Sequence, residues 1–288
     1  VSYALSTQPE SYGQIILRSI QLYKAGFYKI FFEALLLAFI CFLPRILAHF
    51  GYLSNPMIHE WSSFQSLFLI LINIIALAFF TALLWRMRCV IQHVNETAVS
   101  DIKITIRKLP LIIGGSLIQT AIQLFMFFTS IGVFKFFVEQ YILNSQPPLQ
   151  LTQHPLHAFL ISTPVIFQTL FNIYIFFLFI FYLPLILTEH KAIINALIKS
   201  AKLVWKNWWR TFTVLLTPWL CYLIILLLVL RITGCNTPFY FFQPSALPLP
   251  LILFQVLMFT LFIPWFAATL LVQLRDLELR QKISLDVK

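Results

Sequence analysis

Glu33 is the carboxylate that lies well inside an apolar stretch of this chain, and Lys29 precedes it by one helical turn. In hydrocarbon such a group either serves a proton or cation path or closes a local ion pair, and the i,i+4 spacing favours the pair. The other polar side chains within apolar stretches are amides: Asn73, Gln119, Gln123, Gln168, Asn172 and Gln255. Gln119 with Gln123, and Gln168 with Asn172, each share one helix face. Amides so placed bond across a helix bundle, at about 1 kcal/mol each, or line a substrate path. Bonding is the expected role, and Glu33, Gln123, Gln168 and Asn172 are the candidates for a path.

Catalytic and metal chemistry find no comparable foothold. His49, His59 and Glu60 fall in one expected loop and His154 and His157 in another, but none makes a helical H-x-x-x-H pair. They are expected to be solvated loop histidines, with no metal. Cys41, Cys89, Cys221 and Cys235 are far apart and form no C-x-x-C pair. The chain has no G-x-S-x-G, no P-loop, no H-E-x-x-H and no paired carboxylates at one depth. The expectation is a protein without enzymatic activity or cofactor, with an intramembrane enzyme the last-ranked reading.

The elements that must position these groups follow from composition. The chain is 60% hydrophobic and 10% charged, with 31 phenylalanines among its 288 residues. Soluble domains carry about 25% charged residues, and a globule of this size could not hide so much apolar surface. Six stretches reach the length of about 20 residues that crosses a bilayer: 27–48, 64–88, 116–138, 158–188, 208–231 and 249–274. An all-α, polytopic bundle forming one integral membrane domain over 1–288 is therefore expected. Pro44, Pro164, Pro184, Pro218 and Pro264 predict kinks. The first apolar run is too long for a signal-peptide core and lacks an A-x-A site.

Basic residues then orient the spans. With six crossings, all of the 20 lysines and arginines except Arg45, Lys135 and Arg231 fall on one side. The positive-inside rule makes that side, and both termini, cytoplasmic. The net charge of +10 thus reports topology and anionic lipid rather than nucleic acid, for which no long polar surface exists.

KSAKLVWKNWWRTF at 199–212 concentrates the pattern. On a helical wheel Lys199, Lys202, Lys206 and Arg210 form one stripe, with Trp205, Trp208 and Trp209 on the other flank. Such a helix suits the headgroup plane, its cations meeting anionic headgroups and its indoles the apolar boundary. Asn207 is the expected bend into the fifth span. RSIQLYKAGFYKIF at 18–31 aligns without a gap, Ser19, Leu22 and Phe31 matching Ser200, Leu203 and Phe212, and Gly26 falling opposite Asn207. Arg18 and Lys29 join the headgroup candidates. A weaker copy, IRKLPLIIGGSL at 106–117, places Gly115 at the Gly26 position. Three parallel repeats of about 90 residues result, each an interfacial helix (near 10–25, 101–113 and 190–206) followed by two spans.

Glu189 and AL-x-KS-x-x-LV-x-x-NWWR at 196–210, with LVQLRDLELR at 271–280, resemble bacterial six-span inner-membrane proteins. These are the YciC-like proteins and the membrane domain fused to some glycerophosphodiester phosphodiesterases. The resemblance implies a bacterial inner-membrane location and carries no defined activity; the phosphodiesterase barrel has no counterpart here. Two functional expectations stand: envelope or membrane organisation through lipids and possible contacts with other membrane proteins, or transport of a small molecule or lipid.

Overall fold

A computed structural model describes residues 6–52, 63–94, 97–144, 155–189, 192–233 and 248–286. The regular elements among them are helices: α1 (Tyr12–His49), α2 (Ser63–Gln92), α3 (Ala98–Asn144), α4 (Pro155–Phe179), α5 (Tyr182–Glu189), α6 (Ile193–Trp205), α7 (Trp208–Ile232) and α8 (Leu249–Asp286). Six stretches are long and apolar enough to cross a membrane: Tyr12–His49, Phe64–Gln92, Ser100–Thr129, Gln168–Thr188, Trp208–Ile232 and Leu249–Ile283. The protein is an all-α, multi-pass membrane bundle, and these stretches overlap the six expected spans. The chain divides into two compact units, Val1–Pro110 with Trp209–Lys288, and Leu111–Trp208.

In the first unit, α1 opens at Ser11, whose N–H is taken by Gln14 Oε1 at 2.8 Å, half of a capping box. Its buried positions are Ile15, Ser19, Leu22, Gly26, Ile30, Glu33 and Leu37. Steps of three and four residues put all of them on one face. The opposite face shows Leu17, Phe32 and Tyr28, the last 92% exposed. The buried face packs antiparallel against α8, whose Ala267 and Ala268 permit close approach. Trp219, Tyr222, Phe259 and Phe262 fill the contact between α7 and α8 with edge-on and tilted rings.

The expected bend at Gly26 is absent. α1 runs unbroken through it as one helix of 38 residues, about 57 Å long at 1.5 Å per residue. A hydrocarbon core is about 30 Å thick, so 12–25 extend the spanning rod instead of forming a separate helix. Gly26 is there for space: a Cβ would lie 3.0 Å from Met87 Sδ. α3 is likewise continuous through 101–113 and Gly115. In the second unit, a Cβ on Gly115 would meet the Tyr182 ring at 2.7 Å, and one on Gly114 would meet Ile193 at 2.8 Å. Only the third copy turns as expected. α6 ends at Trp205, and Asn207 N–H closes the turn on Val204 O at 2.8 Å before α7 begins.

The long fourth span is broken between α4 and α5 at Ile180 and Phe181. Pro184 has no N–H to offer Ile180 O, which removes one helical bond at the break. Ser200 of α6 repairs the gap: its hydroxyl accepts Phe181 N–H at 3.2 Å and donates to Leu178 O at 2.9 Å. Its repeat counterpart Ser19 is also fully buried, donating to Ile16 O at 2.7 Å and accepting Trp265 Nε1–H at 3.0 Å. Pro44, Pro218 and Pro264 lie inside continuous helices.

Candidate functional site

Charged side chains of the first unit gather into two clusters. At the end where α1 and α7 begin and α8 finishes, Asp276 is 3% exposed. Its Oδ2 accepts Arg280 Nε at 2.8 Å and Arg210 Nε at 3.2 Å, while Oδ1 accepts Glu10 N–H at 2.8 Å. Arg210 and Arg280 also donate to Glu10 O, Arg280 at 2.7 Å. The Glu10 carboxylate is paired with Arg18. These bonds strap residue 10 onto α8 through a buried carboxylate held by two guanidinium groups, an arrangement that positions backbone.

In the second cluster, Arg86 of α2 joins Glu33 of α1 to Asp101 in the first turn of α3. Arg86 Nη2 lies 3.3 Å from Glu33 Oε1, and Arg86 Nε contacts Asp101 Oδ2. The expected Lys29–Glu33 pair is thus replaced by a pair between helices. Lys29 sits on the exposed face of α1 while Glu33 faces inward. Glu33 is consequently a member of a three-helix ion network.

The headgroup candidates divide. Lys202, Lys206, Lys29, Trp205 (66% exposed) and Trp209 (74%) are exposed. Lys199 is half-buried. Trp208 is packed in the second unit, its Nε1–H donating to Tyr174 O at 3.3 Å and its ring 5.4 Å from the Tyr174 ring. Arg210 and Arg18 are drawn into the Asp276 cluster. The buried face of α6 is Ala196, Leu197, Ser200, Leu203 and Val204, which leaves Ile194 and Ile198 outward in line with Lys202 and Trp205.

Of the path candidates, Gln123, Gln168 and Asn172 belong to the second unit and Glu33 to the first. Both amide atoms of Gln168 and Oδ1 of Asn172 are shielded without a hydrogen-bond partner among the described residues; Gln123 is half-buried. A crevice between α7 and α8, lined by Pro218, Trp219, Phe259, Phe262, Ile263 and Phe266, measures about 10 Å³. That is room for about one water molecule, too little for a substrate. No group of three or more His, Cys, Asp or Glu poised to hold a metal occurs among the described residues. His59, Glu60 and His154 lie outside those residues, and Cys41, Cys89 and Cys221 are free thiols.

Sequence reasoning missed two features. Asp276 is the hub of its cluster, and its only sequence signal is the R-D-x-E-x-R spacing on α8 that sets Arg280 one turn away. The other is the Arg45 guanidinium, which donates to Gln255 Oε1 at 3.0 Å between α1 and α8. No protein-family model, curated protein or solved structure matches this chain.

Proposed function

We propose that the chain is a non-enzymatic bacterial inner-membrane protein of the YciC-like type, with both termini cytoplasmic, that acts in envelope organisation through anionic lipid headgroups and neighbouring membrane proteins. The observation that carries the reading is the outward row of Ile194, Ile198, Lys202 and Trp205 with Lys206, all in the second unit. Ammonium groups beside an exposed indole and aliphatic side chains suit the cytoplasmic headgroup layer. The distribution of lysine and arginine between the ends of the six spans supports the orientation. The ion clusters, which join helices and position backbone, support a scaffold rather than a catalyst.

The test uses the full chain purified in mild detergent from membranes containing phosphatidylglycerol. Changing Lys199, Lys202 and Lys206 together to Gln is expected to lower the phosphatidylglycerol retained per chain severalfold and leave phosphatidylethanolamine unchanged. Equal retention would remove the lipid role. Modification of a terminal tag by an impermeant reagent outside intact cells would overturn the orientation.

A second reading, transport of a small molecule or lipid, rests on the shielded, unpartnered amide atoms of Gln168 and Asn172. Flux in proteoliposomes that falls in Gln168→Leu and Asn172→Leu would establish it; equal flux in the parent and both variants would dismiss it.

A further inference from the structure

In the second unit, the two faces of α6 meet different surroundings. The outward row of Ile194, Ile198, Lys202 and Trp205 is exposed. The inward face is buried, and through Ser200 it carries the junction of α4 and α5. The Ser200 hydroxyl serves both loose ends of that junction, Phe181 N–H at 3.2 Å and Leu178 O at 2.9 Å. Phe181, Leu185 and Ile186 are fully buried there, so water is a poor substitute for the hydroxyl. A second grip lies further along α6. Trp205 stands edge-on to the Tyr174 ring of α4, with centroids 6.2 Å apart, although most of its indole is exposed. Trp208, just past the turn at Asn207, donates Nε1–H to Tyr174 O at 3.3 Å and lies against the Tyr174 and Phe177 rings.

The end of α4 is thus held by indoles at one end of α6, and the gap after it by a hydroxyl in the middle. α6 is one helix of 13 residues, about 20 Å long, so its two faces move together. A shift that carried the outward row off the headgroup layer would stretch both Ser200 bonds, which have little slack. Rolling the inward face toward lipid would equally turn Lys202 and Trp205 away from the boundary. Anionic headgroups seated on the outward row therefore favour the stitched arrangement over the released one. A ligand with that preference shifts the equilibrium toward the state it prefers.

We propose that α6 is a lipid-responsive clamp on the broken fourth span: anionic phospholipid headgroups on its outward row keep Ser200 seated at the α4–α5 junction, and without them the junction opens. The inference rests on the headgroup role proposed above and gives it a consequence, control of the span that carries Gln168 and Asn172. Hydrogen exchange on the full chain in nanodiscs reads the junction, because amide exchange follows the population of the opened state. One set of discs holds phosphatidylethanolamine with phosphatidylglycerol; the other has phosphatidylcholine in place of phosphatidylglycerol. Exchange over residues 178–185 should be about fivefold faster in the uncharged discs, the effect of about one net hydrogen bond on an opening equilibrium. Residues 30–38 of α1 should exchange alike in both. Changing Lys199, Lys202 and Lys206 together to Gln should give the fast rate in both. Ser200→Ala should do the same and, because coupling is reciprocal, should retain less phosphatidylglycerol than the parent although it leaves the outward row untouched. Equal exchange at 178–185 for the parent in the two lipids would overturn the clamp, whether or not Ser200→Ala folds. The headgroup role would then still stand if the lysine variant loses phosphatidylglycerol. Equal phosphatidylglycerol retention by the lysine variant would remove both.

Discussion

Ser200 and Phe181 are joined by a hydrogen bond of 3.2 Å, from a backbone N–H at a broken helix to a hydroxyl on another helix. Pro184 removes one helical bond at the break and Ser200 makes the break tolerable, because unpaired backbone inside a membrane protein is costly. Ser200→Ala is expected to lower stability by about 1–3 kcal/mol, since it strands the buried Phe181 N–H and removes the donor to Leu178 O. Ser200→Thr, which keeps the oxygen, should recover part of this if its methyl is accommodated. Unfolding midpoints of the two variants in one detergent would check the order, and an Ala variant matching the parent would show that the break needs no stitch.

Ser19, the counterpart in the first copy, makes a different bond with the same atom. Its oxygen accepts the Trp265 indole N–H at 3.0 Å, a side-chain donor that can move. Ser19→Ala should therefore cost less, about 1 kcal/mol or below, and should alter the fluorescence of Trp265. A loss equal to that of Ser200→Ala would place the two serines in equivalent roles.

The contrast marks how much could be read from residue order. Span number and type were legible because apolar length is local: each window of about 20 residues declares itself. The helical wheel picked out Lys202, Lys206 and Trp205, which are exposed, but it also offered Lys199, which is half-buried, and Trp208, which is packed on Tyr174. Partners were not legible. Glu33 pairs with Arg86, on another helix, instead of Lys29 one turn away, because the interior face of α1 is defined by what packs on it. Arg18 and Arg210 belong with Glu10 and Asp276, and no periodicity links residue 10 to residue 276. The glycines misled in an instructive way. Gly26 and Gly115 suggested bends on account of their backbone freedom, yet both stand in unbroken helices where a neighbouring side chain needs the room.

That room differs between the two glycines. At Gly26 the obstructing atom is the sulfur of a flexible methionine, 3.0 Å from an added Cβ; at Gly115 it is a tyrosine ring at 2.7 Å. Gly26→Ala should be nearly neutral, because Met87 can rotate and the helix gains a better former. Gly115→Ala should cost about 1–3 kcal/mol through displacement of the buried Tyr182. Thermal midpoints of both variants test this, and a more harmful Gly26→Ala would show that α1 and α2 cannot yield.

The clasp at Asp276 predicts a local effect. Asp276→Ala removes the acceptor of Glu10 N–H and of two guanidinium groups. The arginines are 23% and 32% exposed, so water takes over part of the lost pairing, and about 2 kcal/mol is the expected loss, below the usual figure for a fully buried pair. Hydrogen exchange should quicken over residues 6–11 before any other segment. Uniform exchange across α8 and the N-terminal residues would mean that no separate clasp exists.

The network of Glu33, Arg86 and Asp101 makes the strongest demand. Arg86→Met leaves two carboxylates buried without their shared cation, at a cost of about 3–5 kcal/mol. Adding Glu33→Gln and Asp101→Asn removes the charges thus stranded, so the triple variant should be markedly more stable than Arg86→Met alone. Recovery of this kind is the signature of mutual neutralisation, because independent sites would add their losses. Unfolding midpoints measured for the parent, the single variant and the triple variant in one detergent would decide the matter. If the triple variant is no more stable than Arg86→Met, the guanidinium supports the bundle through packing alone and the ion network carries no weight in holding α1, α2 and α3 together.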